Sequence, residues 1–406
     1  MAIFSNDEAI CNIAKEYKTP FYLYDLDRIR DNFLSYSEAF KDAIICYALK
    51  ANSNLSILKM LANLGAGADC VSGFEIQKAL ISGIEPSKII FSGVGKTRSE
   101  LELALKSKIL LINIESEFEL FELENIAKEL KIIAPISIRV NPNIDAKTHP
   151  FISTGLTSSK FGLDILAAEA LYLYAKKSEF LLPIGLQFHI GSQILDIDPL
   201  MQAALKMRDF AKKLLDKGIG LKFLDIGGGV GIAYGGEEII SLTRYAKEIK
   251  AIMGSLGLQI LCEPGRRIVG DCGILVGSVL GVKKTPHKNF VITDCAMNDL
   301  MRPALYDAKH RFRIISNEIK DADFYADIVG PVCESGDFLA KNVSINAKEG
   351  DLIAFYDVGA YGFSMSHNYN LRPRAAEIGS YNSKIALLRK REDFAHLLYD
   401  EATHGF

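Results

Sequence analysis

The chain has 406 residues, 49% of them hydrophobic, and a formal net charge of −3. That length accommodates two or three domains with a large core, and the near-neutral balance excludes the basic footprint of a nucleic-acid binder. The seven cysteines (Cys11, Cys46, Cys70, Cys262, Cys272, Cys295 and Cys333) are scattered without a CxxC pair, which argues against a disulfide framework and against a cysteine zinc site.

The opening "MAIFSNDEAICNIAKEYKTP" lacks the basic region and apolar stretch of a secretory signal. No apolar run reaches the ~18 residues of a membrane span. The expectation is a soluble, cytoplasmic protein. "FYLYDLDR" (21–28) then reads as a strand. From residue 43, eight short apolar runs follow: "AIICYALKA", "GADCVS", "KIIFSG", "ILLINIES", "IAPISIRVNP", "LLPIGLQFHIGS", "LKFLDIGGG" and "LQILCEPGR". Segments with helical spacing separate them, from "NLSILKMLANLG" to "SLTRYAKEIKAIMGSLG". Strands alternating with helices predict a parallel sheet, and eight strands close a (β/α)8 barrel; an open doubly wound sheet is the alternative.

After about residue 275 the rhythm changes. "GILVGSVLGVKK", "NFVITDCA", "DADFYADIVG", "GDLIAFYDVGAYG" and "KIALLRK" read as strands without regular helices between them. We therefore expect an α/β fold: a barrel over 26–270, and a mainly β domain from 271–406 that takes in 1–25 with the first strand.

In such a barrel the active face is built at the C-terminal strand ends. Lys50 ends the first run, His189 the sixth, Gly227, Gly228 and Gly229 the seventh, and Glu263 and Arg266 the eighth. Glycines let backbone N–H groups approach an anion, and arginine grips phosphate in a fork. Ends seven and eight thus read as a phosphate cradle, although tight turns also need glycine. A lysine on the same face can form a Schiff base, as pyridoxal 5'-phosphate requires; a strand-end lysine reaching into water is the plainer alternative. Glu263 can keep a pyridine nitrogen protonated, or pair with Arg266 or Arg267. His189 can pack on a cofactor ring, or be structural.

"YALKAN", "FHIGSQI", "GGGVGI" and "EPGR" occur in this order, and in this the chain resembles the fold-type III decarboxylases that use pyridoxal phosphate. "NDLMRPALYDAKH", "GPVCESGDFL" and "VGAYGFSMSHNYNLRPRAAE" narrow the resemblance to the diaminopimelate decarboxylases, over about residues 20–380. It implies a homodimer with active sites shared across the interface. Lys50 would hold the cofactor as an internal aldimine and His189 would stack on its ring, both as catalytic residues. Ser192, Gly227–Gly229 and the "EPGR" residues Glu263, Pro264, Gly265 and Arg266 would bind the rest of the cofactor. Cys333 would donate the proton; read alone it is a small buried hydrophobe. Glu334, Arg302, Tyr306 and Arg266 would contact substrate, and Tyr361 both substrate and cofactor; Arg302 alone would pass for a surface arginine. The implied reaction converts meso-2,6-diaminopimelate to L-lysine and carbon dioxide, with no metal. Another basic amino acid is the competing substrate, and a catalytically dead relative the non-enzyme reading. "KTHPFISTGLTSSKFGLD" (147–164) reads as a loop over the barrel mouth, and the polar "SHNYNLRPRAAE" as a dimer contact or part of the mouth.

Overall fold

The structure is a computed structural model and describes residues 3–145, 155, 159–315 and 324–401. Most of the 147–164 stretch lies outside the described residues. The chain forms two compact units, one of 30–233 with 237–268, the other of 1–29, 234–236 and 269–406.

The first strand, β1 (Phe21–Asp25), belongs to the second of these units. The other unit is a closed barrel of eight parallel strands: β2 (Ile44–Ala48), β3 (Gly67–Cys70), β4 (Ile89–Phe91), β5 (Leu111–Ile114), β6 (Ala134–Arg139), β7 (Leu181–Gln187), β8 (Phe223–Asp225) and β9 (Gln259–Cys262). Closure comes from the pairing of Ile44 with Leu261 and of Ile45 with Cys262, so the open-sheet alternative is excluded. Each of the eight apolar runs supplies one strand. The strands are nearly all buried because helices cover their outer faces. Side chains from five of the strands meet in one buried cluster, Cys46, Ile90, Leu111, Ile184 and Leu261.

Side-chain caps start the outer helices. Ser72, Thr97, Ser116 and Ser241 each accept from a backbone N–H one turn in. Such caps contribute about 1 kcal/mol apiece, and they fix where each strand's loop gives way to helix.

The β unit holds a nine-stranded sheet. Its other strands are β10 (Gly273–Lys284), β11 (Asn289–Thr293), β12 (Phe312–Ile315), β13 (Phe324–Val329), β14 (Phe338–Ile345), β15 (Leu352–Phe355), β16 (Ala376–Tyr381) and β17 (Lys384–Arg389). β1 lies between β10, antiparallel, and β16, parallel, so the N-terminal strand is central here. The helix Asp7–Tyr17 packs Ile10 and Ile13 into a core with Phe21, Leu23, Ile274, Val276 and Ile378. One five-residue helix, Arg302–Tyr306, interrupts the strand-rich stretch, with Pro303 in its first turn.

Candidate functional site

Lys50 occupies the single 3-10 turn Leu49–Ala51 that follows β2. Its Nζ donates to Asp69 Oδ2 at 2.7 Å, from the middle of β3. Asp69 is fully buried, and its Oδ1 has no hydrogen-bond partner among the described residues. The lysine, its side chain 41% exposed, is thus held by a buried carboxylate from the neighbouring strand.

His189 lies two residues beyond β7. Its Nδ1 accepts the N–H of Gly228 at 3.2 Å, which requires an unprotonated Nδ1. Burial, with the charges of Arg139 and Lys50, pushes the imidazole pKa well below its ordinary value. A neutral, flat ring results. Beside it the glycine turn leaves β8. A Cβ on Gly228 would sit 2.1 Å from the carbonyl oxygen of Glu263, and one on Gly229, whose φ is +100°, 2.3 Å from that of Gly191. Only glycine lets these backbones pass, so the turn is forced by its neighbours as well as suited to an anion. Arg266 opens the short helix Arg266–Val269 and donates to Ser192 Oγ at 3.1 Å. The carbonyl of Pro264 accepts the N–H of Ala48 at 3.1 Å, and Gly265 packs against Ala48 and Ala51. The "EPGR" turn is thus bound to the segment carrying Lys50.

Glu263 follows β9 and is 6% exposed. Gln187 Nε2 donates to its two oxygens at 3.4 and 3.3 Å, and the charge of Asp225, at the end of β8, acts on it. Burial first, then the charges of Asp225 and Asp69, hold the Glu263 pKa well above the usual carboxylate range. Burial likewise pushes Asp225 up to about 7. A buried carboxylate with one weak amide donor is short of a cationic donor. A protonated pyridine nitrogen supplies that, and the glycine turn, Ser192 and Arg266 offer donors to a phosphate. The residues of the barrel end therefore fit pyridoxal 5'-phosphate.

Within the β unit, Arg302 is 7% exposed, which corrects its reading as a surface arginine. Its guanidinium lies over the ring of Tyr234, 4.8 Å from the centroid, and NH1 is 3.0 Å from His310 Nε2. His310 Nδ1 in turn lies 2.8 Å from the carbonyl of Tyr356. Tyr306 ends the same short helix and is partly exposed. Cys333 is the one cysteine among the seven that is exposed, so its reading as a buried small hydrophobe is also corrected. Its N–H donates to Asn370 Oδ1 at 2.7 Å, and Glu334 beside Tyr369 pushes the pKa of that hydroxyl up. The "SHNYNLRPRAAE" loop thus holds the Cys333–Glu334 segment. Tyr361 is in the left-handed backbone region, φ +59°.

Sequence reasoning did not single out Asp69, Gln187, Asp225, Arg139 or His310. A detectable signal was available for the first and third: each is an acidic residue inside an otherwise apolar barrel run.

Comparison with known proteins agrees with this geometry. Residues 26–270 match the family model of the pyridoxal-dependent decarboxylase pyridoxal-binding domain. A diaminopimelate decarboxylase of Helicobacter pylori is 54% identical over 383 residues, covering 93% of this chain and 94% of that protein. That of Campylobacter jejuni is 50% identical over 386 residues, covering 94% and 96%. A crystal structure of the Helicobacter pylori enzyme complexed with L-lysine superposes with a TM-score of 0.93 at 51% identity, covering 96% of this chain and 98% of that one. Shared over nearly the whole length, this likeness and the pyridoxal-fitted barrel end lead to one conclusion: the chain belongs to the diaminopimelate decarboxylase family of pyridoxal 5'-phosphate-dependent enzymes.

Proposed function

We propose that this enzyme decarboxylates meso-2,6-diaminopimelate to L-lysine and carbon dioxide in the cytoplasm, as a homodimer whose active sites draw on both subunits. The observation that carries the reading is the barrel end itself, where Lys50 on Asp69, the Gly227–Gly229 turn and Arg266 on Ser192 come from the first, seventh, eighth and sixth strand ends. No helix among the described residues is long and apolar enough to cross a membrane.

When bound, the cofactor supplies an electron sink for the pair left on Cα as carbon dioxide departs. Lys50 would hold it covalently through Nζ, and Glu263 would keep its ring nitrogen charged. The neutral imidazole of His189 offers a ring face for packing, and Ser192, Gly227–Gly229, Pro264, Gly265 and Arg266 would seat its phosphate. Residues 26–270 form the cofactor domain in this scheme, and 1–25 with 271–406 the substrate and dimer domain.

The protonation of Cα is assigned to the thiol of Cys333, whose exposure leaves Sγ accessible. Cysteine's ordinary pKa, about 8.5, lies close enough to working pH for proton donation. The far end of diaminopimelate is itself an amino acid. Arg302, already buried and oriented by Tyr234 and His310, would take the carboxylate, with Tyr306 or Arg266 assisting. Glu334 would take the ammonium, and Tyr361 would touch substrate and cofactor. A site built to pair that carboxylate rejects diamine-forming substrates, because its buried guanidinium is then left without an anion.

The test is lysine release from meso-diaminopimelate by protein reconstituted with pyridoxal phosphate. Lys50→Ala should abolish the visible absorbance of the bound cofactor. Cys333→Ala should keep that absorbance while lysine release collapses. Unchanged lysine release in Cys333→Ala removes the thiol from the proton-donor role.

A further inference from the structure

Cys333 lies in no helix or strand. It sits in the turn 331–336 between β13 and β14, and it is exposed. An exposed thiol in such a turn can point many ways, whereas proton donation to one carbon needs one direction. The turn must therefore be fixed from outside itself.

Two side chains of the β unit do this. Asp337 accepts the N–H of Val332 at 2.7 Å through Oδ2 and that of Met297 at 2.7 Å through Oδ1, which ties the foot of the turn to the loop after β11. Asn370 takes the next amide, that of Cys333 itself, on Oδ1 at 2.7 Å. Asn370 has φ +56° and ψ +30°, a left-handed backbone that glycine enters freely and asparagine or aspartate more readily than most other residues. Leu371 follows at φ +55° without that advantage. The segment before them is braced: the N–H of His367 donates to the carbonyl of Asn298 at 3.0 Å, and Asn368 Nδ2 donates to Glu392 Oε2 at 2.7 Å and to the carbonyl of Arg372 at 3.1 Å.

We propose that Asn370 is a positioning residue for the proton donor: its carboxamide oxygen holds the Cys333 amide and so aims Sγ. The inference rests on the thiol's role in the reading above. Cys333 and Asn370 are both exposed, so water satisfies their polar groups once the bond is broken. Stability then changes little, and the direction of the thiol is what is lost. Because the thiol acts only after carbon dioxide has left, the loss falls on kcat and not on KM.

The experiment measures lysine release from meso-diaminopimelate by Asn370→Gly and Asn370→Asp, each loaded with pyridoxal phosphate to the parental absorbance. Glycine is the residue best suited to this backbone, so Asn370→Gly folds and removes the acceptor alone. Its kcat should fall about tenfold or more, since a misplacement of about 1 Å can cost about 100-fold, with KM within about twofold of the parent. Asn370→Asp keeps both backbone and acceptor, and its charge, like that of Glu334, favours the protonated thiol; its kcat should stay within about threefold. A role confined to backbone conformation would instead leave Asn370→Gly at the parental rate. In a Cys333→Ala background, Asn370→Gly should cost less than about twofold further, because no thiol remains to be aimed. The proposal is overturned if Asn370→Gly keeps the parental kcat, if its loss appears in KM, or if it slows Cys333→Ala as much as it slows the parent. Cys333→Ala separates two kinds of failure. A collapsed rate there beside an unaffected Asn370→Gly overturns only the positioning role. A parental rate in Cys333→Ala overturns the thiol as donor, and the inference with it.

Discussion

Lys50 Nζ and Asp69 Oδ2 are 2.7 Å apart, the lysine part-exposed and the carboxylate fully buried. A charge-assisted contact of this kind orients the amine, which must meet its reaction partner within a narrow range of directions. Asp69→Asn keeps an acceptor and removes the charge. Capture of pyridoxal phosphate by the cofactor-free protein should slow by about tenfold, since hydrogen bonds to charged groups are worth roughly 1.5–3 kcal/mol. Stopped-flow absorbance checks this, and an unchanged capture rate would show that Asp69 does not orient the amine.

Gly228→Ala tests the turn. The added Cβ would lie 2.1 Å from the Glu263 carbonyl oxygen, so β8's exit and the Glu263 backbone must move apart. Overpacking of this kind costs about 1–3 kcal/mol, and here the displaced atoms carry the cofactor's groove and its nitrogen partner. The expected result is a lower melting temperature together with weakened cofactor binding. Gly220→Ala, which meets nothing within 4 Å, is the control and should change neither. Equal behaviour of the two variants would refute the steric account.

How much of this was legible in the sequence follows from where each signal is stored. The eight barrel strands were readable because each is a short apolar run bounded by a helix with its own cap, both local features. Lys50, His189, the triple glycine, Glu263 and Arg266 were readable because they break those runs at their ends. β16 was not readable: "AEIGSY" contains a glutamate, a glycine and a serine, yet it is buried between β1 and β17. Glu377 is tolerated there because Tyr24, 353 positions away, donates to it at 2.9 Å and Arg389 at 2.6 Å. β14 alternates too weakly, with several exposed positions in "FLAKNVSI". The nearness of the Asp225 and Glu263 strand ends was hidden for a different reason, since the register between β8 and β9 is not written in either run alone.

Asp299, in the β unit, makes a pH-dependent prediction. Burial, opposed by the N–H of Ala296 and by Arg372, pushes its carboxyl pKa up to about 7. The unfolded chain releases that proton near ~4. Between about pH 4 and about pH 7 the folded form therefore binds more protons, and the contribution of Asp299 to stability falls as pH rises. Asp299→Asn should flatten the fall in stability across this window, and the variant should gain on the parent above pH ~7. Urea denaturation at a series of pH values measures it; an identical slope in variant and parent would contradict the assignment.

The side chain of Lys96 is 1% exposed and lies against that of Glu119 at 3%. Its Nζ donates to Glu119 Oε1 at 2.5 Å and to the carbonyls of Gly93 and Asn113 at 2.7 and 2.6 Å. Glu119 also accepts the N–H of Glu115, and Glu115 holds Arg139 at 2.8 Å and the N–H of Gly162 at 2.9 Å. The network thus runs from the end of β4 to Arg139, whose charge acts on both His189 and Asp225. Removing one member of a buried pair leaves an uncompensated charge, and Lys96→Met should cost about 3–5 kcal/mol. Adding Glu119→Leu should restore much of that stability, because the orphaned carboxylate goes with it. It should not restore the catalytic rate, because the backbone of Glu115 then loses its acceptor and Arg139 its fixed support. Chemical denaturation with lysine-release kinetics distinguishes the two effects. A double variant that recovers both stability and rate would limit Lys96 to holding the fold.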